Sequence, residues 1–355
     1  MVQFIPILLI TLILSGCNTQ SDLDRLFNDY TQGVANILDE EWKSAIPDSP
    51  PPLPPQRLRT LVTTEIREGL IEVLDLSVCN LLPLIAQKNS SLGKVAPPSQ
   101  VLSYELRFYR TITDCLPLVL NDKNIDLAIK EKIQAIHRTK TDNLPAVLWN
   151  AFYTGEEIEQ SLALNQPPIP LDQPEQSYHP ALSALELFNN LTNIATLNPE
   201  TLKPIDTQTL EKSYESLYTA PLGVPLLKSL LLLEASLNNV AHTIESRLER
   251  RPLCFKDMRN PKADILKSIF TQQYALKVQP YLSKVDRLAS RWYRLHQSTT
   301  SHLPVPSEIS DYVAQVFQRN AEISLWNRYI RARDRHTKAW QRILNQCNLM
   351  PGNHD

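Results

Sequence analysis

Apolar residues recur at spacings of three and four through most of this chain, and a period of that kind can be buried only by helices. Leu23, Leu26, Phe27, Tyr30, Val34, Ile37 and Leu38 give the first instance, an amphipathic helix over 20–45. The same pattern predicts helices over 58–87, 99–121, 124–140, 144–161, 180–197, 207–219, 222–249, 262–297 and 307–347. Apolar runs of period two with turn dipeptides are missing, so essentially no sheet is expected. Only 7 of the 355 residues are Gly, and the 27 Pro sit mostly between apolar runs, where they stop helices. The expected fold class is all-α, an elongated and irregular bundle of about ten helices. A regular helical solenoid is the alternative, but no repeat of about 30 to 45 residues recurs.

The N-terminus carries an address. The apolar run Phe4 to Leu14 is followed by Ser15-Gly16-Cys17. That run is well short of the roughly 20 residues that cross a bilayer, and has the length of a signal-peptide core. The pattern resembles a bacterial lipoprotein signal: residues 1–16 would be removed and Cys17 would carry the acyl chains. Its departure is that Met1-Val2-Gln3 supplies no Lys or Arg. Asn18 is not the Asp associated with inner-membrane retention, so the resemblance favours the outer membrane, facing the periplasm. Later in the chain, Leu230-Leu231-Leu232-Leu233 is bracketed by Lys228 and Glu234, as in a buried core helix.

With Cys17 spent on lipid, Cys79, Cys115, Cys254 and Cys347 form an even set in an oxidising compartment. Residues that face each other in an antiparallel hairpin are equidistant from its turn. The midpoint of Cys79 and Cys115 falls in Ala96-Pro97-Pro98-Ser99, and that of Cys254 and Cys347 in the loop Ser298 to Pro304. Two disulfide-stapled antiparallel hairpins are therefore expected, 79 with 115 and 254 with 347, with four buried free thiols as the alternative. The final two helices, about 35 to 40 residues each with a kink at Pro280, would make the second hairpin. No C-x-x-C or H-E-x-x-H is present and the seven His are scattered, so neither a metal nor any other cofactor is expected.

Pro47 and Pro50 to Pro55 read as a stiff polyproline strut. The stretch Asn165 to His179, with four Pro, marks a boundary. It divides an acidic N-terminal helical lobe, 17–164, from a basic C-terminal bundle, 180–355. Formal charge follows that polarity, being −12 over residues 1–249 and +10 over 250–355. Lys284, Arg287, Arg291 and Arg294 share one helix face, and Arg328, Arg331, Arg335, Lys338 and Arg342 share another. They are candidates for a partner surface that meets phospholipid headgroups, lipopolysaccharide phosphates or an acidic protein. The competing reading is a solvated face, or one neutralised by the acidic lobe. Nucleic acid is disfavoured by the compartment. Arg333 projects to the apolar side among Trp326, Ile330, Thr337 and Trp340, a candidate buried charge that would need a carboxylate.

The search for chemistry finds little. Asn89-Ser90-Ser91-Leu92-Gly93-Lys94 lacks the spacing of a phosphate loop and reads as a helix end stopped by Gly93, with Ser side chains capping. No G-x-S-x-G occurs. Glu245-Ser246 is similar to the Glu-Ser pair of helical lytic transglycosylases but lies inside a continuous helix, and Glu156, Glu157 and Glu159 read as solvated.

Several segments together resemble an uncharacterised family of proteobacterial lipoproteins, the domain of unknown function thirty-eighty. They are Cys79 with Leu84-Ile85-Ala86, Asn89 to Lys94, Ser99, Tyr104-Glu105, Cys115-Leu116, Arg251-Pro252-Leu253-Cys254 and Val278-Gln279-Pro280-Tyr281-Leu282. The resemblance implies an envelope location and carries no activity. The expectation is a lipid-anchored envelope scaffold or binding protein without catalysis. The alternatives are a periplasmic hydrolase of peptidoglycan, or a binder of anionic lipid or lipopolysaccharide through the basic C-terminal hairpin.

Overall fold

A computed structural model describes residues 21–66, 75–203, 205–256 and 258–350. The signal segment and Cys17 lie outside these residues. Ten helices carry the architecture: α1 Asp22–Leu38, α2 Leu82–Asn89, α3 Pro98–Asn121, α4 Leu127–Tyr153, α5 His179–Leu197, α6 Thr207–Thr219, α7 Gly223–Arg250, α8 Pro261–Ile269, α9 Gln279–His302 and α10 Leu325–Gln346. Apart from an isolated bridge between Phe255 and Met258, no strand pairing occurs among the described residues. No single described helix is long and apolar enough to cross a membrane. The leucine run 230–233 is buried in α7.

Both disulfides form, Cys79 with Cys115 and Cys254 with Cys347. In the first hairpin the chain runs out through α2 and returns along α3, with Arg107 donating to Gln87 Oε1 above the disulfide. In the second, α9 and α10 are antiparallel: Asp286 accepts from Tyr329 and Arg333, and Tyr293 packs on Trp326. The closest neighbour of α10 is nevertheless α7, which runs parallel to it. Glu234 meets Arg328, Glu245 meets Arg335, and the disulfide ties the chain just past both C-terminal ends.

The helix expected over 20–45 already stops at Leu38, where Asp39 turns into the left-handed region, and four further boundaries differ from the periodic pattern, each for a local reason. The helix expected over 58–87 is, among its described residues, a single turn Gln56–Arg59, an extended run over 60–66, a 3-10 turn Asp75–Cys79 and then α2. The β-branched cluster Thr60, Val62, Thr63 and Thr64 disfavours helix there. The two helices expected over 124–161 merge into α4 straight through Pro145. Burial of Leu144, Val147, Leu148 and Trp149 against the core outweighs the roughly 3 kcal/mol that an interior proline costs. A π-helical segment, Phe270–Val278, joins α8 to α9. Pro280 has no N–H for the preceding turn, and the wider winding lets Gln279 donate to Tyr274 instead. The last expected helix is split, with a short helix Ser310–Val316, a turn in which Phe317 stacks on His296, and a restart where Ser324 Oγ accepts from the Asn327 N–H.

One hydrophobic core runs from Leu23 in α1 to Leu349 and takes in residues on both sides of the Pro-rich stretch 165–179. That stretch is itself pinned: the Ile169 N–H donates to Ser229 Oγ at 2.9 Å, and Tyr281 Oη donates to the Ile169 carbonyl at 3.0 Å. A second, smaller core belongs to the first hairpin and α4, built from Cys79, Leu81, Tyr104, Phe108, Ile112, Val119, Ile133 and Ile136.

Candidate functional site

The small core opens to solvent on one side. Between α2, α3, α4 and the extended run 60–66 lies a cleft of about 530 Å³. Ile85, Phe108, Ile136 and Val147 form its apolar lining, and Lys88, Asn89, Tyr104, Glu105, Lys140 and Asn143 supply polar groups. That size and mixture suit a small molecule or a short stretch of chain. An adjoining hollow of about 220 Å³ shares Lys88 and Tyr104 and lies against Ser90 and Gly93.

Most of the lining is held in place. Lys140 Nζ donates to Glu105 Oε2 at 2.6 Å, with both side chains largely withdrawn from water. The same ammonium sits 4.5 Å from the Phe108 ring centroid and 5.6 Å from that of Tyr104, so aromatic faces share in its stabilisation. Lys88 approaches Tyr104 from the solvent side at 5.5 Å. Burial, and secondarily the Glu105 charge, push the Tyr104 hydroxyl well above its ordinary range, so it stays protonated. At the tip, Ser90 Oγ accepts from the Gly93 N–H at 3.0 Å and caps a further turn, Ser91–Lys94; α2 stops at Asn89, so Gly93 lies inside that turn and does not end the helix as the sequence suggests. A Cβ on Gly93 would overlap the carbonyls of Gln87 and Lys88, so the turn closes that tightly only with glycine. No Ser–His or Cys–His pair lies among the described lining residues; the arrangement can hold a ligand and orient it.

The basic stripes turn out differently. Lys284 is buried, and its ammonium donates to the carbonyls of Pro170, Leu171 and Gln173 at 2.8, 3.1 and 3.0 Å. Burial lowers its affinity for a proton, opposed by Asp172 and Glu175. It clamps the Pro-rich stretch and faces no partner. Arg287 pairs with Glu175, Arg291 with Glu186, Arg328 with Glu234 and Asp48, and Arg335 with Glu245. Acidic residues from earlier in the chain thus neutralise part of each stripe. Arg294, Lys338 and Arg342 are exposed and have no carboxylate partner among the described residues, and Arg331 reaches only the Glu322 carbonyl, at 3.4 Å.

Arg333 is not buried. Its side chain is 34% exposed, reaching outward to Asp286 and Asp334 and over the Tyr329 ring. A long side chain can leave an apolar face at its tip, which helix spacing alone does not reveal. These environments predict opposite outcomes: Lys284→Met should cost about 2 kcal/mol by stranding three carbonyls, and Arg333→Met less than about 1 kcal/mol. Urea denaturation of the two variants checks the order, and equal midpoints would refute it.

Two buried histidines serve the core. His336 Nε2 lies 2.6 Å from Tyr30 Oη and 3.1 Å from Trp340 Nε1, and His296 Nδ1 lies 3.1 Å from Tyr153 Oη. Burial pushes each ring's pKa down to about 3, so both are neutral at ordinary pH. His296, Tyr153 and Glu157 line a hollow of about 20 Å³, room for about one water. Burial first, then the charges of Glu156 and Glu211, raise the Glu157 carboxyl above its usual range. Glu159 takes a hydrogen bond from the buried Arg59, and Glu245 is occupied by Arg335. No three His, Cys, Asp or Glu among the described residues are placed to hold a metal.

A family model described as a protein of unknown function (DUF3080) matches residues 27–351. The chain belongs to that family. In this DUF3080 member, Asn89, Ser90, Leu92, Gly93, Tyr104 and Glu105, from two of the segments on which the resemblance rests, line the cleft or its adjoining hollow. The disulfide Cys79–Cys115 closes the hairpin that presents them. No curated protein and no solved structure matches the chain. Nothing in the sequence pattern sets apart Lys140, Asn143 or the extended run 60–66 as cleft residues. The β-branched cluster at 60–64 was the available signal for the run; the two α4 residues have none, because their role depends on what packs against that helix.

Proposed function

We propose that this DUF3080 protein is a lipid-anchored binding protein of the bacterial cell envelope, held at the outer membrane through Cys17 and facing the periplasm, with no catalysis of its own. The observation that carries the binding role is the cleft between α2, α3 and α4. There a desolvated Glu105–Lys140 pair and the exposed Lys88 and Asn89 surround an aromatic floor next to a disulfide-fixed hairpin. The anchor reading rests on Ser15-Gly16-Cys17 after the apolar run. Two acyl chains give effectively stable attachment at roughly 0.8 kcal/mol per buried methylene.

Contact with anionic lipid or lipopolysaccharide is the second reading. It rests on the exposed Arg294, Arg331, Lys338 and Arg342, since the other stripe cations are paired or buried. One experiment in intact cells separates the two. A photo-reactive residue at position 89 should capture an envelope component, and Lys140→Met should abolish the capture, whereas a probe at 338 should capture none. Capture at 338 with none at 89 would reverse the assignment. Labelled palmitate should enter the wild type and not Cys17→Ala; equal labelling would remove the anchor from the proposal.

A further inference from the structure

We infer that the cleft continues into a groove for an extended peptide, read through its backbone by Asn143 and Asn150, and that residues 60–66 are its intramolecular occupant. This rests on the cleft being a binding site. Asn150 Oδ1 accepts from the Leu61 N–H and its Nδ2 donates to the Leu61 carbonyl, both at 2.8 Å. Asn143 does the same for Thr64, at 3.0 and 2.9 Å. A carboxamide paired this way satisfies both polar groups of one residue whatever its side chain, as neighbouring strands do for each other.

The spacings agree. Asn143 and Asn150 are two helical turns apart on α4, about 10.5 Å along the axis. Leu61 to Thr64 is three residues of extended chain, about 10 Å. Trp149 Nε1 extends the track by donating to the Arg59 carbonyl at 2.7 Å. At its other end the track enters the cleft directly, because Asn143 and Val147 belong to the cleft lining and residues 63–66 stand at its mouth.

Between Leu61 and Ile66, which pack partly against the two cores, the occupant is held by these amide pairs more than by burial: Val62 is 95% exposed and Thr64 is exposed as well. A ligand that brings its own extended backbone, with β-branched or small polar side chains, can take over the same four hydrogen bonds. The ligand class is therefore an extended peptide segment of another envelope protein. While residues 60–66 fill the groove, apparent affinity is reduced by the fraction of molecules in which it is open.

The test uses the whole mature chain and a fluorescein-labelled synthetic peptide spanning Gln56 to Ile66. Leu61→Pro with Thr64→Pro removes both N–H donors of the resident segment and leaves α4 untouched. This variant should bind the peptide at least tenfold more tightly than the wild type, and adding Asn143→Ala and Asn150→Ala should abolish binding. A folded proline variant that does not bind, or that binds equally without the two asparagines, overturns the inference. If the proline variant does not fold, hydrogen exchange of the wild type decides. Excess unlabelled peptide should speed exchange over 60–66 at least tenfold, and unchanged exchange overturns the inference. Failure of the peptide with persistent capture at position 89 rejects only the peptide class; failure of both rejects the cleft as a binding site.

Discussion

Removing the disulfide between Cys254 and Cys347 is expected to produce one of the largest losses of stability available in this protein. The bond closes a separation of 93 residues. The chain-entropy relation gives about 4.6 kcal/mol for a loop of that length and about 3.8 kcal/mol for the 36-residue separation of Cys79 and Cys115. The two losses should differ in kind as well as size. Cys254–Cys347 sits in the main core, just beyond the C-terminal ends of the parallel pair α7 and α10, so the double alanine variant should lower the main cooperative transition. The Cys79–Cys115 bond belongs to the small core, where a handful of apolar residues hold α2 and α3 on α4. Its loss should loosen that hairpin and the cleft before the rest unfolds. Calorimetry of the two double alanine variants measures this: one displaced main peak for 254/347, and an added low-temperature transition for 79/115. A 254/347 variant melting like the wild type would contradict the reading.

Stability should also fall steeply with mild acid. The unfolded chain protonates His296 and His336 near the ordinary histidine value, whereas in the fold burial holds both at about 3. Their contribution is complete above pH of about 6.5 and is lost progressively toward pH 3, because the unfolded state then binds protons the folded state refuses. Each group contributes a slope that reaches about 1.4 kcal/mol per pH unit once the unfolded histidine is protonated, so the pair gives roughly half of 2.7 kcal/mol per unit near pH 6.5 and about 2.7 kcal/mol per unit below pH of about 5.5. His137, also lowered by burial, acts in the same direction. Glu157, raised by burial and then by Glu156 and Glu211, opposes it as its own range is approached. Urea midpoints at pH 7, 6 and 5 measure the slope. Replacing either His296 or His336 with Gln, which keeps hydrogen-bonding capacity without the titration, should remove about half of it. A midpoint independent of pH between 7 and 5 would exclude the argument.

Individual residues show how far the sequence could be read. The pairing of Cys79 with Cys115 followed from an even count and a symmetric position about a proline turn, both local properties. The charge stripes were equally visible, but what they face was not. Lys284 reads as one more cation at a spacing of three or four, and it is buried under carbonyls more than a hundred residues earlier in the chain. Arg328 and Arg335 belong to the most basic stretch of sequence, yet their carboxylates come from Asp48, Glu234 and Glu245. The cleft was half legible: Asn89 to Gly93 and Tyr104-Glu105 stood out as segments, while Lys140 and Asn143 looked like ordinary polar residues on a helix.

What the sequence determined by itself was the helical class, the two disulfides and the polarity of charge. Each of these depends on period, parity or composition within a short window. Tertiary structure decided that α7 lies parallel to α10, that Lys284 and four of the stripe arginines are engaged within the chain, and that residues 60–66 run extended along α4 into an open cleft. Those outcomes depend on which surfaces meet across long stretches of chain. The free energy of such meetings comes from burial and from pairing of polar groups, and neither leaves a periodic trace in the residues that take part.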